Sequence, residues 1–182
     1  MVALNTPEVD FNWPAPDFNL PGTDGKNYTL NDVKGENGLV VMFICNHCPF
    51  VKSIIDKIIH DMQELKALGV NSVAIMSNDP NEYAEDSFEN MKKIAEQKNF
   101  PFPYLIDETQ DIAKTYGAVC TPDFFGFNAD LKLQYRGRLD DSGMQHKPDS
   151  TRDLFNAMAQ VQKTGQGPKE QKASIGCSIK WK

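Results

Sequence analysis

The chain of 182 residues contains 40% hydrophobic and 24% charged residues, which is typical of one folded domain with its own core. Its formal net charge of −6 disfavours a nucleic-acid partner, because binding to phosphates requires a basic surface. The apolar runs are too short to span a bilayer, and the first residues lack the pattern of a signal peptide. We therefore expect no membrane association and a cytoplasmic location, where cysteines are more often reactive or metal-binding than structural.

The first half of the chain predicts an arm, a hairpin and a βαβ unit. Residues 1–16 contain three prolines and are predicted to form an irregular N-terminal arm. Residues 17–30, DFNLPGTDGKNYTL, predict two short strands around a glycine turn. Gly38–Ile44 is a continuous apolar run, typical of a strand that is buried on both faces. A helix with an apolar stripe follows, and then a second apolar strand, VNSVAIMS, so the two strands are predicted to be parallel.

The second half predicts two more helices, three more strands and a final helix. The loop NDPNEYAED leads into a helix, and PYLID, DFFGFN and KLQYRGRL predict strands, the last two as an antiparallel pair. Ser150 is predicted to cap a last helix that ends near Lys163, and residues 164–182 form a tail without clear periodicity. The element order predicts an α/β fold, with a central mixed sheet flanked by helices in one domain over residues 17–163.

The segment MFICNHCPFVK places Cys45 and Cys48 between the buried strand and the helix that follows it. A helix N-terminus carries partial positive charge, which lowers the pKa of a thiol there and favours the nucleophilic thiolate. His47, if protonated, adds a positive charge close to both sulfurs. Because Pro49 is compatible only with the first turn of a helix, both sulfurs are predicted to lie at the helix start.

Metal binding is a weaker interpretation of the same residues. A structural zinc site normally needs a second Cys/His pair at comparable spacing, and His60 and His146 do not form one. His60 is predicted to be a partly exposed helix residue, and His146 to lie in a polar loop. Two thiolates and a histidine would suit Cu(I), with His146 as the distant ligand. No nucleotide-binding glycine loop is present, so neither a cofactor nor a resident metal is expected.

Two further cysteines have open roles. Cys120 precedes Thr121 and Pro122, whose peptide bond is a candidate for the cis form, and this cysteine could belong to the core or face the first pair. Cys177 lies in the tail segment SIGCSIKWK, where it could resolve a sulfenic acid or a mixed disulfide, or could simply pack against the body.

A Cys-x-x-Cys after a buried strand, followed much later by Thr-Pro, resembles the thioredoxin fold. The segments APDFNLPGTDGKNYTLNDVKGENGLVVMFICNHCPF, TPDFFGFNADLKLQYRGRLDD and GCSIKWK resemble peroxiredoxin-like redoxins of the AhpC/TSA and TlpA/ResA types over residues 13–182. This resemblance implies a thioredoxin-like fold with an N-terminal peroxiredoxin-type β-hairpin. In the thioredoxin frame, Cys45 is the exposed attacking thiol, Cys48 resolves, and the loop of Pro122 presents backbone to the substrate. In the peroxiredoxin frame, Cys48 is the peroxidatic cysteine.

The sequence departs from both parent patterns. Cys45 occupies the threonine position of peroxiredoxins, and the arginine of that family is not assignable, because Arg136 and Arg138 are predicted to be exposed strand residues. Leu39 stands where thioredoxins carry a buried acid. We therefore expect a thiol-disulfide oxidoreductase that acts on a protein or small-molecule disulfide or thiol, with a thioredoxin-type or glutathione-type reductant. The alternatives are an antioxidant thiol peroxidase that takes hydroperoxides and, third, a Cu(I)-binding protein.

Overall fold

The computed structural model describes residues 2–145 and 147–182, and it contains ten strands and five α-helices within those ranges. The strands are β1 (Ala3–Asn5), β2 (Asn19–Pro21), β3 (Asn27–Thr29), β4 (Gly38–Phe43), β5 (Val70–Met76), β6 (Tyr104–Ile106), β7 (Cys120–Thr121), β8 (Asp123–Asn128), β9 (Leu133–Arg136) and β10 (Ile175–Ser178). The helices are α1 (Leu30–Val33), α2 (Pro49–Ala67), α3 (Phe88–Gln97), α4 (Asp111–Tyr116) and α5 (Asp153–Thr164). A short 3-10 turn, Ala84–Asp86, precedes α3.

The predicted mixed sheet is confirmed, with five strands in the order β6-β5-β4-β8-β9. The three strands β4, β5 and β6 are parallel, whereas β8 is antiparallel to both β4 and β9. All six residues of β4 are buried, as expected for a central strand with helices on both faces. Alternate side chains of β4 enter separate cores, with Val40 and Met42 on the face of α2 and α5 and Leu39 on the other.

Helix α2 begins at Pro49, with Cys48 as its N-cap, and runs for 19 residues. Its apolar stripe includes Ile54, Ile58 and Leu65, all of which are buried against the sheet. Because β4 and β5 are parallel neighbours, the loops that follow them meet at the same edge of the sheet. The cysteine motif therefore lies next to the loop after β5.

The two ends of the chain form a second, smaller sheet that the sequence does not predict. The tail strand β10 lies between the arm strand β1 and β7, and it is antiparallel to both. The tail and the arm are thus joined to each other and to the segment that contains Thr121.

Two other expectations are wrong in detail. Ser150 does not cap the last helix, which starts at Asp153, because its hydroxyl instead bonds to Asp140 and Lys57. Arg136 is not an exposed strand residue, since its guanidinium is buried in an ion pair with Asp123 at 2.9 Å. No helix in the described part of the chain has the length and apolar character needed to cross a bilayer.

Candidate active site

Both cysteines of the motif are buried, Cys45 just beyond the end of β4 and Cys48 at the start of α2. The prediction that Cys45 is exposed is wrong, because only 1% of this residue is accessible to solvent. The covering segments include the 3-10 turn, which was not expected at the site, and the tail strand β10, whose Cys177 was considered as a possible resolving thiol. A substrate can contact these sulfurs only after one of the covering segments moves.

The peptide bond between Thr121 and Pro122 is cis, as the sequence suggested. Thr121 contacts both cysteines of the motif. Its hydroxyl lies 3.3 Å from Cys45 Sγ, and its carbonyl oxygen lies 3.1 Å from Cys48 Sγ. The segment of Thr121 and the helix start therefore hold the two sulfurs between them.

The hydrogen-bond donors around Cys48 favour its thiolate, whereas the carbonyl oxygen of Thr121, 3.1 Å from the sulfur, favours the neutral thiol. The pKa of Cys48 is lowered to about 4, mainly by a hydrogen bond from the Cys45 thiol. The Cys177 thiol and the backbone N–H groups of Val51 and Cys177 also lower this pKa, whereas burial opposes the shift. Val51 belongs to the first turn of α2, where the N–H groups have no partners within the helix and can stabilise an anion.

The surroundings of Cys45 favour its neutral thiol. Burial is the main cause that raises the pKa of Cys45 well above its ordinary value, and the hydrogen bond to Cys48 and the charge of Asp86 act in the same direction. The two sulfurs are thus arranged as one thiol that donates to one thiolate. Because the thiolate is the nucleophilic form of cysteine, Cys48 is the more nucleophilic of the two residues.

A buried acid, Asp86, organises the polar side of the site. One of its oxygens accepts from the backbone N–H groups of Asn46 and His47, at 2.8 and 3.1 Å. The other oxygen is 2.5 Å from His47 Nδ1 and accepts from the side-chain amide of Asn78 at 3.0 Å. Asp86 has no solvent exposure, so these four contacts compensate for the loss of its hydration.

The imidazole of His47 lies between this acid and the first cysteine. Its Nδ1 is 3.6 Å from Cys45 Sγ, and its ring stacks on Tyr83 with 3.8 Å between the ring centroids. Its Nε2 is buried and has no hydrogen-bond partner among the described residues. The ring is therefore held at one nitrogen by Asp86 and on one face by Tyr83.

Cys45, His47 and Asp86 offer a possible metal-ligand set, since their ligand atoms lie within 4.8 Å of one another. The 2.5 Å separation between His47 Nδ1 and Asp86 Oδ2 is that of a hydrogen bond. Two ligands of one tetrahedral metal ion would be about 3.4 Å apart, given metal–ligand bonds of about 2.1 Å. Both oxygens of Asp86 already accept hydrogen bonds, so this geometry fits a proton-sharing pair better than a metal centre. His146, the distant histidine of the copper hypothesis, lies outside the described residues.

The two remaining cysteines differ in their relation to the site. Cys177, on β10, is directly opposite Thr121, and its Sγ is 2.9 Å from that of Cys48. Burial and the neighbouring Cys48 raise the pKa of Cys177 to about 12. Cys120 is fully buried, and its thiol contacts the carbonyl oxygen of Pro122 at 3.5 Å. Cys177 therefore belongs to the sulfur cluster, whereas Cys120 packs beside it.

The candidate arginines lie elsewhere. The guanidinium of Arg136 is bound to Asp123 and to the carbonyl of Gly117, and that of Arg138 is bound to Asp153. His60 is exposed on α2, where it pairs with Glu64. None of these three side chains forms a hydrogen bond with a cysteine in the described part of the structure.

A groove of about 400 Å³ lies beside the site. Its apolar lining comes from Phe50, Pro122, Phe124 and Leu139, and Ile175 of β10 closes one side. The sulfurs do not line this groove. It reaches the cis peptide segment from the surface.

Sequence reasoning missed Asp86, Asn78 and Tyr83, all of which come from the loop after β5 or from the 3-10 turn. The available signal was positional, because loops at the carboxyl ends of adjacent parallel strands meet. The loop contains four acidic residues, Asp79, Glu82, Glu85 and Asp86, so its sequence alone does not indicate which acid enters the site.

Comparison with known proteins adds a family and a fold. The profile of the AhpC/TSA family matches residues 12–136. An uncharacterized conserved protein from Geobacillus kaustophilus is 47% identical, with a TM-score of 0.94, and the alignment covers 100% of this chain and 97% of that one. A hypothetical protein from Sinorhizobium meliloti 1021 is 36% identical, with 98% coverage of both chains and a TM-score of 0.92. No curated protein matches the chain.

A more distant structure shows the fold alone. The thioredoxin domain of a thiol-disulfide oxidoreductase from Bacteroides vulgatus is 18% identical, with a TM-score of 0.64. The alignment covers 85% of this chain and 99% of that domain. The predicted thioredoxin-like fold is thereby confirmed.

Proposed function

The chain belongs to the AhpC/TSA family, and on that premise we propose that it is a thiol-disulfide oxidoreductase in which Cys48 attacks and Cys45 resolves. The observation that carries the proposal is the unequal environment of the two sulfurs. Cys48 is the N-cap of α2 and has a pKa of about 4, whereas Cys45 is held as a thiol beside it. This assignment reverses the roles that the thioredoxin frame implies.

The exchange proceeds in two balanced steps. The Cys48 thiolate attacks one sulfur of a substrate disulfide, forms a mixed disulfide and releases the other substrate sulfur as a thiolate, which takes a proton from solvent. Cys45 then loses its proton and attacks Cys48 Sγ, so that the Cys45–Cys48 disulfide forms and the second substrate thiolate leaves. The substrate is reduced by two electrons, and the pair of cysteines is oxidised by two. A thiol reductant of the thioredoxin or glutathione class reverses these steps.

We assign the removal of the Cys45 proton to the carboxylate of Asp86, which accepts from the Nδ1–H of His47 and lies within 4.8 Å of Cys45 Sγ. His47 Nδ1 lies 3.6 Å from Cys45 Sγ and 2.5 Å from the carboxylate of Asp86. Thioredoxins use a buried acid near their resolving cysteine, and Leu39 occupies that position here. Asp86 offers a buried carboxylate from a different loop.

The groove beside Pro122 suggests where a substrate would bind. It would hold an apolar side chain next to the substrate cysteine, between Phe50 and Phe124. This favours a protein or peptide disulfide over a very small one, because a small disulfide would not fill a space of about 400 Å³.

A thiol peroxidase is the second candidate, favoured by the low pKa of Cys48 and by Pro49 directly after it. Peroxide would oxidise Cys48 to a sulfenic acid and release water, and Cys45 would then form the disulfide with loss of a second water. We rank this reaction lower, because Cys45 replaces the threonine of peroxiredoxins and both candidate arginines are bound to other acids.

The test is to mix reduced protein with oxidised glutathione or with hydrogen peroxide and to follow Cys48 by peptide mass spectrometry. We expect wild type to form the Cys45–Cys48 disulfide with glutathione, and Cys48→Ser to lose the reaction. Cys45→Ser should still attack and release the first glutathione. Fast oxidation by peroxide but not by glutathione would favour the peroxidase instead, and no reaction at Cys48 with either would refute both functions.

A further inference from the structure

We propose that Cys177 is a second resolving thiol, so that Cys48 forms a disulfide with Cys177 as well as with Cys45. This inference rests on the proposed function, in which Cys48 is the attacking residue. It adds a role for the C-terminal strand β10, which brings its own sulfur to the site.

The sulfur of Cys177 lies directly beside that of Cys48. The Sγ atoms of Cys48 and Cys177 are 2.9 Å apart, and a disulfide bond is about 2.05 Å long. A movement of about 1 Å would therefore suffice to join them. Cys48 lies between two thiols, each close enough to donate a hydrogen bond to it.

The pairing of β10 with the rest of the fold holds Cys177 in this position. It pairs with β7 so that Cys177 is opposite Thr121, the residue whose carbonyl oxygen contacts Cys48. Beyond the strand, the backbone N–H of Lys180 donates to Asn78, which also binds Asp86. The strand is thus fixed both to the cis peptide segment and to the polar network of the site, and its register places Cys177 at Cys48.

The strand β10 also affects the access of a substrate disulfide to Cys48. Cys48 has no solvent exposure, and Cys177 of β10 lies against its sulfur, so a substrate disulfide that approaches from this side contacts Cys48 when the strand shifts. The return of the strand brings Cys177 back to a sulfur that now carries the substrate. The return of β10 would therefore bring the attacking thiol into place and lead directly to release of the substrate.

The step is balanced without any added oxidant. Cys177 loses its proton and attacks Cys48 Sγ of the mixed disulfide, and the bond between Cys48 and the substrate sulfur breaks. The electron pair of that bond leaves with the substrate thiolate, which takes up the proton. The products are the Cys48–Cys177 disulfide and a substrate thiol.

The charges around the two resolving thiols favour Cys177. Burial, the hydrogen bond to Cys48 and the charge of Cys48 raise its pKa, and the last two disappear once Cys48 is in a mixed disulfide. The Lys180 ammonium, which lowers the pKa of Cys177, remains. Cys45, in contrast, keeps the neighbouring negative charge of Asp86, which raises its pKa. At that stage the charge of Lys180 favours ionisation of Cys177, whereas the charge of Asp86 opposes ionisation of Cys45.

The test uses Cys45→Ser, in which Cys177 is the resolving thiol to be examined. The reduced full-length variant is mixed with oxidised glutathione, quenched by alkylation at intervals and mapped by peptide mass spectrometry. We expect the glutathione adduct on Cys48 to be replaced by a Cys48–Cys177 disulfide. In Cys45→Ser/Cys177→Ser the adduct should persist at least about ten times longer, because no thiol is placed to displace glutathione.

Cys120 provides a matched control, since it is buried near the site and contacts Pro122 rather than Cys48. Cys45→Ser/Cys120→Ser should resolve its adduct as fast as Cys45→Ser. A stable adduct in Cys45→Ser, with Cys177 still open to alkylation, would overturn the role of Cys177. If Cys45→Ser does not fold, the same mapping is done on partly oxidised wild type, which should contain both the Cys45–Cys48 and the Cys48–Cys177 disulfide. Finding the Cys45–Cys48 disulfide alone would equally overturn the role of Cys177.

The role of Cys177 and the proposed thiol-disulfide exchange at Cys48 would be refuted by different results. If wild type forms the Cys45–Cys48 disulfide but no Cys48–Cys177 linkage is found in any variant, only the role of Cys177 is lost. If glutathione never attaches to Cys48, the proposed function fails and the role of Cys177 fails with it.

Discussion

At the scale of single residues, the two cysteines of the motif differ in what surrounds each sulfur. Cys48 is hydrogen-bonded to two thiols and to two backbone N–H groups, one of them in the first turn of α2, and its sulfur also contacts the carbonyl oxygen of Thr121. Cys45 is equally inaccessible to solvent, but it lies near the carboxylate of Asp86, whose charge raises its pKa. The Cys-x-x-Cys spacing does not indicate which cysteine is the thiolate, whereas in the structure the pKa of Cys48 is lowered and that of Cys45 is raised.

This difference predicts the thiolate titration of the reduced protein. The ultraviolet absorbance of thiolate should rise with a midpoint near pH 4, because the pKa of Cys48 is lowered to about 4. The folded pKa lies below the ordinary value of 9.0, so the anion is present above this midpoint and is lost below it. Cys48→Ser should abolish the transition, and Cys45→Ala should move it to higher pH, because alanine removes the main hydrogen-bond donor to Cys48. A transition that survives in Cys48→Ser would contradict the assignment.

A second prediction concerns Asp86. Asp86→Asn removes a negative charge that contributes to the raised pKa of Cys45, so that pKa should fall. The pH dependence of Cys45 alkylation, measured in a Cys48→Ser background, should shift to lower pH. The loss of a charged acceptor for His47 and Asn78 should also lower the free energy of unfolding by about 1–3 kcal/mol.

Glu85→Gln is the control for that experiment, because Glu85 is adjacent in sequence but forms an exposed ion pair with Lys52. Its effect on Cys45 should be negligible. An equal shift in both variants would show that Asp86 has no specific relation to Cys45.

The chemistry of this site is only partly predictable at the residue scale. Cys45, Cys48, Thr121 and Pro122 can be identified from sequence, because a strand, a helix start and a proline fix their local conformation. Asp86 cannot be identified in this way. Its position depends on how the loop after β5 folds over the motif, and three other acids in that loop are equally plausible in sequence.

At the scale of elements, the tail strand β10 is the part of the site that has no counterpart in the predicted core. Hydrophobic periodicity predicts β4, α2 and β5, because each buries a regular apolar pattern. Four residues of mixed burial in β10 have no such pattern, and their strand conformation depends on pairing with β1 and β7. Only long-range contacts could reveal it.

The close packing of β10 on β7 allows a test that leaves every cysteine intact. A Cβ atom on Gly176 would lie 2.2 Å from the carbonyl oxygen of Thr121, so Gly176→Ala must push the strand away. We expect alkylation of Cys48 to become about tenfold faster, because the cover of the thiolate is loosened. The yield of the Cys48–Cys177 disulfide should fall in the same variant.

Ser178→Ala is the matched control, since Ser178 is half-buried in the same strand and the change removes only a hydroxyl. It should alkylate like wild type. If Gly176→Ala also behaves like wild type, β10 is not the barrier that limits access to Cys48.

At the scale of the whole molecule, both ends of the chain meet at the edge of the site. The arm strand β1 holds β10, and β10 covers the sulfurs that the central sheet and α2 position. The division into arm, domain and tail stays a prediction, and in the structure the arm strand β1 pairs with the tail strand β10. The α/β class and the order of the central elements, in contrast, follow from sequence patterns alone.

The central claim is that Cys45 and Cys48 form a reversible redox pair with Cys48 as its stabilised thiolate. Because a stabilised thiolate favours the reduced state, the pair should be more oxidising than thioredoxin, with a potential above about −270 mV. The most direct measurement is to equilibrate wild type and Cys177→Ser in thiol-disulfide buffers of graded ratio and to quantify the Cys45–Cys48 disulfide by peptide mass spectrometry. For Cys177→Ser, we expect one reversible two-electron transition between the Cys45–Cys48 dithiol and disulfide, with a potential above about −270 mV. Failure of the disulfide to form at any ratio, or a transition below about −300 mV, would contradict it.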